Sequence, residues 1–462
     1  MLSRIYLRLL AIFLWLLLSI GSYKGWVILA SLKPNDQPFW ESFAYEFYIA
    51  SFWPYFTILV VGITLIYIIE LIYNRPESLR YILFWVAGMG LAAIAIYPIG
   101  SYDIFGNVAF AHLHAHYGLN PYQTSVADIN NYLSDPFLKN MWWLSHGSPY
   151  GPLWTWLSYG IYHAAAAFGF ITLVFGFKFI GLLMHLMITY VIYILAEYVT
   201  TGRGAQAAII YGMNPLAIFE IVASGHNDGP AILLLLLVLY FLIQKRYLTG
   251  LAIASIATTF KLTVVFAIPF IIWKTAKERG QLYTLLGLGL MGTLIIISYQ
   301  PLWVGLDTLV GVRITTGGYI SNSLPTLFYA FGYKNLIHLV HMFGLIVFSL
   351  CYIALLWRIK SGNNKNLIIS IGLGFVGYYL LGAGVIHNWY YLWPLAVMST
   401  LPCNLLTKAV IGQTILLLPS YGIFLALGEG GLSNAYTYLL ACFPLITLGL
   451  LHFKKWTISK IS

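Results

Sequence analysis

The chain has 462 residues, 60% of them hydrophobic and only 8% charged. Soluble domains carry about 25% charged residues, so a water-solvated globule is excluded and the composition points to an all-α polytopic membrane protein, one integral membrane domain over 1–462. The net charge of +10 does not mark a nucleic-acid binder, because the basic residues sit in short loops between apolar runs, where membrane orientation accounts for them.

Taken in order, the chain begins with Arg4 and Arg8 ahead of an apolar run. No clean small-x-small cleavage site follows, which reads as an uncleaved signal anchor. A helix needs about 20 apolar residues to cross hydrocarbon. Such runs fall at 8–30, 50–73, 80–98, 172–199, 204–222, 229–244, 281–298, 335–357, 366–385, 388–402, 406–427 and 435–453. Two stretches are ambiguous: 151–168 is a short apolar run after Tyr150-Gly151-Pro152, and 247–273 carries Lys261 in its middle. Cys351, Cys403 and Cys442 lie in or beside apolar segments, at no disulfide or metal spacing.

Loop charge sets the sides. With the N-terminus cytoplasmic, 17 of the 24 basic residues fall inside, the others being Lys24, Lys33, Lys139, Lys178, Lys261, Arg313 and Lys334; this is the positive-inside bias. The count requires that 151–168 make no net crossing and that 247–273 form a helical hairpin with Lys261 at its tip. Each arm would have about 13 residues, roughly 20 Å at 1.5 Å per residue. The expectation is about 12–14 transmembrane helices with both termini cytoplasmic. The polar, His-rich and aromatic-rich segments then share the extracytoplasmic side: 99–150, His226–Asp228, Lys261, 299–334 and His387–Tyr391.

Each candidate side chain has a structural alternative. Asp103 follows an apolar run and reads as a general base with a tunable carboxylate, or as a helix cap. His112, His114 and His116 can align in alternate positions on a strand, whereas on a helix only His112 and His116 share a face. No acidic or Cys partner lies at metal spacing, so hydrogen bonding or phosphate binding is expected of them, with His114 and His116 as substrate-binding residues. In NPLAIFEIVASGHNDGP, 214–230, Asn227 or Asp228 fits an N-cap with Pro230 just inside, which leaves His226 unexplained and free for a substrate cavity. Lys261, in an apolar stretch, either meets an anionic lipid phosphate or snorkels. Arg313 suits phosphate by its fork geometry, with Asp307 as alternative partner. Trp389, Tyr390 and Tyr391 fit an aromatic belt or sugar binding, and His387 is beyond what a belt needs.

Together SYDIFGNVAFAHLHAHYGLNPY (101–122), SPYGPLW (148–154), NPLAIFEIVASGHNDGP (214–230), FKLTVVFAIPF (260–270) and HNWYYLWP (387–394) resemble the glycosyltransferase-C superfamily, and more narrowly its bacterial polyprenol-phosphate-mannose-dependent α-mannosyltransferases. The resemblance covers about the middle two-thirds of the chain. It implies a large first outer loop, 99–150, bearing a catalytic Asp, here Asp103, followed by a half-buried helix over 151–168. It implies inverting transfer of a hexose, most simply mannose, from a polyprenyl-phosphate donor to an extracytoplasmic glycan or glycolipid, with no nucleotide sugar. Lys261, Arg313 and His387 would hold the donor phosphate; Tyr150, His226, Asn227, Asp228, Trp389 and Tyr390 would line the substrate. No cofactor is implied, and a divalent metal stays open. Many relatives carry a second acid close to the loop Asp; here Ser101 and Tyr102 leave that slot unfilled. The competing function is a transporter or flippase of lipid-linked sugars, which should show inverted repeats and polar residues at the midplane; a scaffold protein is a further alternative.

Overall fold

The computed structural model describes residues 2–33, 36–41, 43–73, 77–309, 320–427 and 431–461. Among them the structure is helical, and extended pairing is confined to isolated bridges, Val304 with Leu306 and Ser321 with Val385. The helices are α1 (Leu2–Ser31), α2 (Phe43–Ile72), α3 (Leu79–Ala93), α4 (Asp103–Ala115), α5 (Pro152–Ala165), α6 (Phe170–Val199), α7 (Gly204–Gly212), α8 (Pro215–Ala217, continued by a π-helical turn over Ile218–Ala223), α9 (Asp228–Ile243), α10 (Tyr247–Phe260), α11 (Ile268–Arg279), α12 (Gln281–Tyr299), α13 (Leu324–Ala330), α14 (Ile337–Trp357), α15 (Asn364–Gly377), α16 (Leu392–Ser399), α17 (Leu405–Leu427) and α18 (Gly431–Ile461). Among the described residues eight helices are long and apolar enough to cross a membrane, and nine if α7 and α8 count as one bent span; α3, α9 and α10 are shorter apolar helices.

The departures from straight spans have local causes. Between α7 and α8 the axis turns by 53°. Pro215 lacks an N–H, and Asn214 restarts the helix by accepting from the Ala217 N–H at 3.1 Å. Residues 388–402, read from sequence as a full crossing, hold only a 3-10 turn, Asn388–Tyr391, and the eight residues of α16. Every residue of α16 is buried, so its apolarity answers to protein on all sides, as in a helix hydrophobic all round.

The segment with Lys261 breaks where the charge sits. Helix α10 ends at Phe260, Lys261 is extended (φ −150°, ψ 127°), and a 3-10 turn over Leu262–Phe266 leads into α11. At the end of α11, Glu278 and Arg279 come within electrostatic reach of Tyr247 at the start of α10. The chain therefore returns to the level it left, with Lys261 at the far end.

Helix ends fall into two sets. One holds the buried pairs of Arg4 and Arg8 with Glu70 and Glu77 and the Lys274–Glu278 pair, whose carboxylate also takes the Gly362 N–H. The other holds the start of α4, the starts of α5 and α9, Lys261 and 386–391, tied to the outer segments by Asn120 Nδ2 donating to the Leu302 carbonyl and Lys139 Nζ to that of Lys33. Which set faces the cytoplasm is a matter of loop charge.

One close approach fixes the interior. A Cβ on Gly181 of α6 would stand 2.1 Å from the Ile221 carbonyl oxygen in the π turn of α8, a backbone atom that cannot rotate away. Gly181→Ala is expected to destabilise the fold by roughly 1–3 kcal/mol through overpacking. Thermal unfolding of the detergent-solubilised variant measures this, and an unchanged midpoint would show that the two helices part freely.

Candidate active site

The site is built where α4, α9 and the segment before α16 meet. Asp103 opens α4, and its backbone N–H donates to Ser101 Oγ at 3.1 Å. The carboxylate stays 17% exposed, enough to meet a ligand. Opposite it the turn Ser224–Asn227 leaves the π segment of α8. Gly225 takes a positive φ of 68°, and a Cβ there would lie 2.5 Å from Ile104 Cδ1; only glycine lets this turn reach the first turn of α4. His226 is thereby set with Nδ1 3.7 Å from Asp103 Oδ2 and Nε2 3.2 Å from Glu220 Oε2. Glu220 is fully buried in the π turn, and its Oε1 accepts from the Tyr421 hydroxyl at 2.6 Å.

The next residues hold the cation. Asn227 occupies the position before α9, yet its side chain caps nothing; its Oδ1 accepts from Lys261 Nζ at 2.9 Å. Asp228, fully buried, accepts from Lys261 Nζ at 2.6 Å and from Trp393 Nε1 at 2.7 Å. The N-cap expected here is replaced by an ion pair, with Asp228 still in the first turn, where the helix dipole favours a negative charge. Lys261 lies 5.5 Å over the Tyr390 ring and keeps one of its three N–H donors beyond Asn227 and Asp228.

Trp389 stacks on His226 (centroids 4.0 Å apart) and on His387 (4.3 Å). With 7% exposure it is neither a belt residue nor an open platform for a sugar; it holds two imidazoles. Tyr391 is buried as well, so the aromatic belt is not where this segment lies. His387 feels Asp103, His226, Lys261 and Asp228 together. Its burial outweighs their net effect and pushes its pKa down to about 4, so at neutral pH it offers one N–H and one lone pair. Tyr150 is buried, and burial, then the Asp103 charge, pushes its phenol well up. The structure thus brings Asp103, Tyr150, His226, Asn227, Asp228, Lys261, His387, Trp389 and Tyr390 into one cluster.

It does not bring His114 or His116 there. They lie at the other end of α4, roughly 16–20 Å along the axis at 1.5 Å per residue. His112 and His116 do share a helix face, stacked at 4.7 Å. His112 Nε2 meets Asp135 Oδ2 at 2.9 Å and Nδ1 meets the Tyr162 hydroxyl at 2.8 Å, while His114 Nδ1 lies 3.2 Å from the Leu119 carbonyl. These rings clamp the segment after α4. Arg313 falls outside the described residues. Among the described residues no three His, Cys, Asp or Glu side chains are grouped to hold a metal ion. Sequence reading passed over Glu220 and Tyr421. An acid inside an apolar run was the available signal for Glu220; Tyr421 offered none.

A family model described as alpha-(1->6)-mannopyranosyltransferase, N-terminal domain, matches residues 11–277, and one described as MptB C-terminal domain matches residues 314–451. Alpha-(1->6)-mannopyranosyltransferase A of Mycobacterium tuberculosis is 20% identical over 349 residues, covering 69% of this chain and 64% of that protein. The protein of the same name from Corynebacterium glutamicum is 27% identical over 160 residues, 34% of this chain and 31% of that protein. The chain therefore spans less than two-thirds of the length of either relative.

The Asp135 clamp has a pH signature. Burial raises the proton affinity of Asp135, but the His112 hydrogen bond, the Phe137 N–H and the Tyr117 hydroxyl overcome it and hold its pKa below the ordinary carboxylate value. A group depressed in the folded state stabilises above its unfolded pKa and loses that contribution as pH falls through the folded one. Asp135→Asn is accordingly expected to mimic strong acid at neutral pH, speeding limited proteolysis within 116–151. Equal cleavage rates in parent and variant would dismiss the clamp.

Proposed function

The chain belongs to the alpha-(1->6)-mannopyranosyltransferase family, and from that premise we propose that it is an integral membrane mannosyltransferase using a polyprenyl-phosphate donor and an extracytoplasmic glycan or glycolipid acceptor. The observation that carries this reading is the convergence around His387 of one half-buried carboxylate, Asp103, and one lysine at the tip of a broken helix pair, Lys261, both within its electrostatic reach. A base and a cation at a lipid-facing break are what transfer from a lipid phosphate requires: one group to take a proton, another to receive charge.

The acceptor hydroxyl approaches Asp103, which removes its proton as the oxygen attacks the anomeric carbon. The bond from that carbon to the phosphate oxygen breaks, and its electron pair leaves with the lipid phosphate. Attack from the face opposite the leaving group inverts the anomeric centre. Lys261 offers its remaining N–H to the developing phosphate charge, and His387, neutral, adds a hydrogen bond. Lys261 is already matched by Asp228 at 2.6 Å, so phosphate must share the ammonium with that carboxylate. Donor affinity then rests partly on burial of the polyprenyl chain. A transporter or flippase of lipid-linked sugars loses support beside membership in a transferase family. The loop-charge bias puts this cluster outside the cytoplasm and both termini inside.

A positioned base supplies about 10²–10⁴-fold. Asp103→Asn in purified protein is therefore expected to cut release of polyprenyl phosphate from a radiolabelled donor by that factor, with donor binding retained; full turnover would remove Asp103 from the reaction.

Lys261→Ala is expected to weaken donor binding and, by leaving Asp228 buried and unpaired, to destabilise the fold by about 3–5 kcal/mol. Lys261→Arg separates the two effects, since it keeps the pair with Asp228. Unchanged donor affinity in a folded Lys261→Ala protein would take the lysine out of the phosphate site.

A further inference from the structure

Behind Asp103 stands a second carboxylate that a single base does not need. Glu220 is fully buried, and among the described residues its only ion-pair partner is His226. A buried carboxyl with no fixed cation is costly to leave charged, so its retention calls for a proton that comes and goes. Resting on the transferase reading above, we propose that His226 and Glu220 form a proton relay behind Asp103: His226 accepts the proton that Asp103 takes from the acceptor, and Glu220 stores it.

The geometry supports the order of transfer. Asp103 Oδ2 lies 3.7 Å from one ring nitrogen of His226 and Glu220 Oε2 3.2 Å from the other. Neither ring nitrogen nor Glu220 Oε2 has an aligned hydrogen-bond partner, so the three buried atoms face one another with their bonding capacity unspent. Trp389 stacked on the ring at 4.0 Å holds its plane, so that one ring nitrogen stays toward each carboxylate. The π-helical turn over Ile218–Ala223 holds Glu220 inward, and the His226 backbone N–H donates to the Glu220 backbone carbonyl at 3.0 Å. From α17 the Tyr421 hydroxyl holds Glu220 Oε1, leaving Oε2 for the imidazole.

Protons balance throughout. The acceptor O–H proton passes to the Asp103 carboxylate as the glycosidic bond forms and the phosphate leaves with the electron pair. Asp103 returns it to His226 Nδ1, and the imidazole releases its Nε2 proton to Glu220 Oε2. Asp103 is again free of the proton while the product departs. The proton then returns by the same two transfers, from Glu220 Oε2 to His226 Nε2 and from Nδ1 to Asp103, whose partly exposed carboxyl passes it to solvent, so the ring tautomer and both carboxylates are reset. Among the described residues, the charged and titratable groups around the imidazole are Asp103 from α4, Glu220 from α8, Tyr421 from α17, Asp228 and Lys261 beyond the turn, His387 across Trp389, and Lys178 of α6, packed against Gly225. Glu220 acts through His226 and is a positioning residue, so its removal must show in proton handling and not only in folding.

The test is transfer from a radiolabelled polyprenyl-phosphate mannose donor by the purified full chain across pH. Glu220→Gln keeps shape and hydrogen bonding but cannot store the proton. We expect kcat to fall roughly tenfold, a fraction of what a base itself contributes, with donor KM unchanged. The acid limb of the profile should move to lower pH, because a neighbouring negative charge is gone; Glu220→Asp should restore part of kcat. If Glu220→Gln does not fold, Tyr421→Phe replaces it. Losing that hydrogen bond disfavours the Glu220 carboxylate, so the variant approaches the neutral Gln: kcat should fall and the acid limb should again move to lower pH, with KM unchanged. A variant with parental kcat and parental pH profile overturns the relay. A parent chain that transfers nothing from this donor instead defeats the donor reading of the preceding section, so the two failures are told apart.

Discussion

The ion pair between Lys261 and Asp228 is the constraint from which the cluster takes its shape. Asp228 has no exposure, and a carboxylate in that position is tolerable only with a close cation and full hydrogen bonding. Lys261 Nζ at 2.6 Å and Trp393 Nε1 at 2.7 Å supply both. The pair joins the first turn of α9 to the end of α10, and the indole adds α16. Helices α9 and α10 run back to back through a tight turn at 244–246, where Lys245 takes a positive φ of 59°, so the start of one and the end of the other come to the same level. The chain breaks at Lys261 because the cation must leave the helix axis to reach its partner.

Two backbone irregularities then decide what the pair's neighbours can do. The π turn widens α8 over Ile218–Ala223, and such turns recur at functional sites because they re-aim side chains that a regular helix would point elsewhere. Gly181 lets that turn approach α6, and Gly225 lets the following loop approach α4. With ordinary side chains at these glycines, His226 would stand back from Asp103 and Glu220 would sit against other atoms. Backbone permission at two positions thus precedes any chemistry at the side chains.

This order explains what the sequence made legible. Asp103 and Lys261 were visible because a charge in an apolar context is expensive, and cost is readable without coordinates. The hairpin with Lys261 at its tip followed instead from loop-charge parity, which required 247–273 to start and end on one side. The Gly-His-Asn-Asp turn was visible as punctuation, but the roles of its members were not: Asn227 and Asp228 fit a helix start as well as they fit a lysine. Residues 388–402 had the composition of a crossing, since burial in protein and burial in lipid leave the same apolar signature. His114 and His116 lay close to Asp103 in sequence, and a helix carried them away from it. Glu220 was legible as an acid in a greasy run, yet its link to Asp103 and Tyr421 spans separations that no local pattern encodes.

The charge inventory of the cluster carries the last step. Among the described residues Asp103, Glu220 and Asp228 stand near Lys261, with Lys178 buried behind the Gly225 turn, and the two nearby imidazoles share one indole. If the donor is a lipid phosphate, as proposed, its charge meets these carboxylates at short range, and low dielectric magnifies the repulsion. Under the relay proposed above, the proton taken from the acceptor ends on Glu220, which relieves that repulsion as charge develops on the phosphate. Under that reading, Lys261 stabilises the charge that develops on the leaving phosphate, and the carboxylates around it keep the product from being held as tightly as an unopposed lysine would hold it, which favours departure of the product.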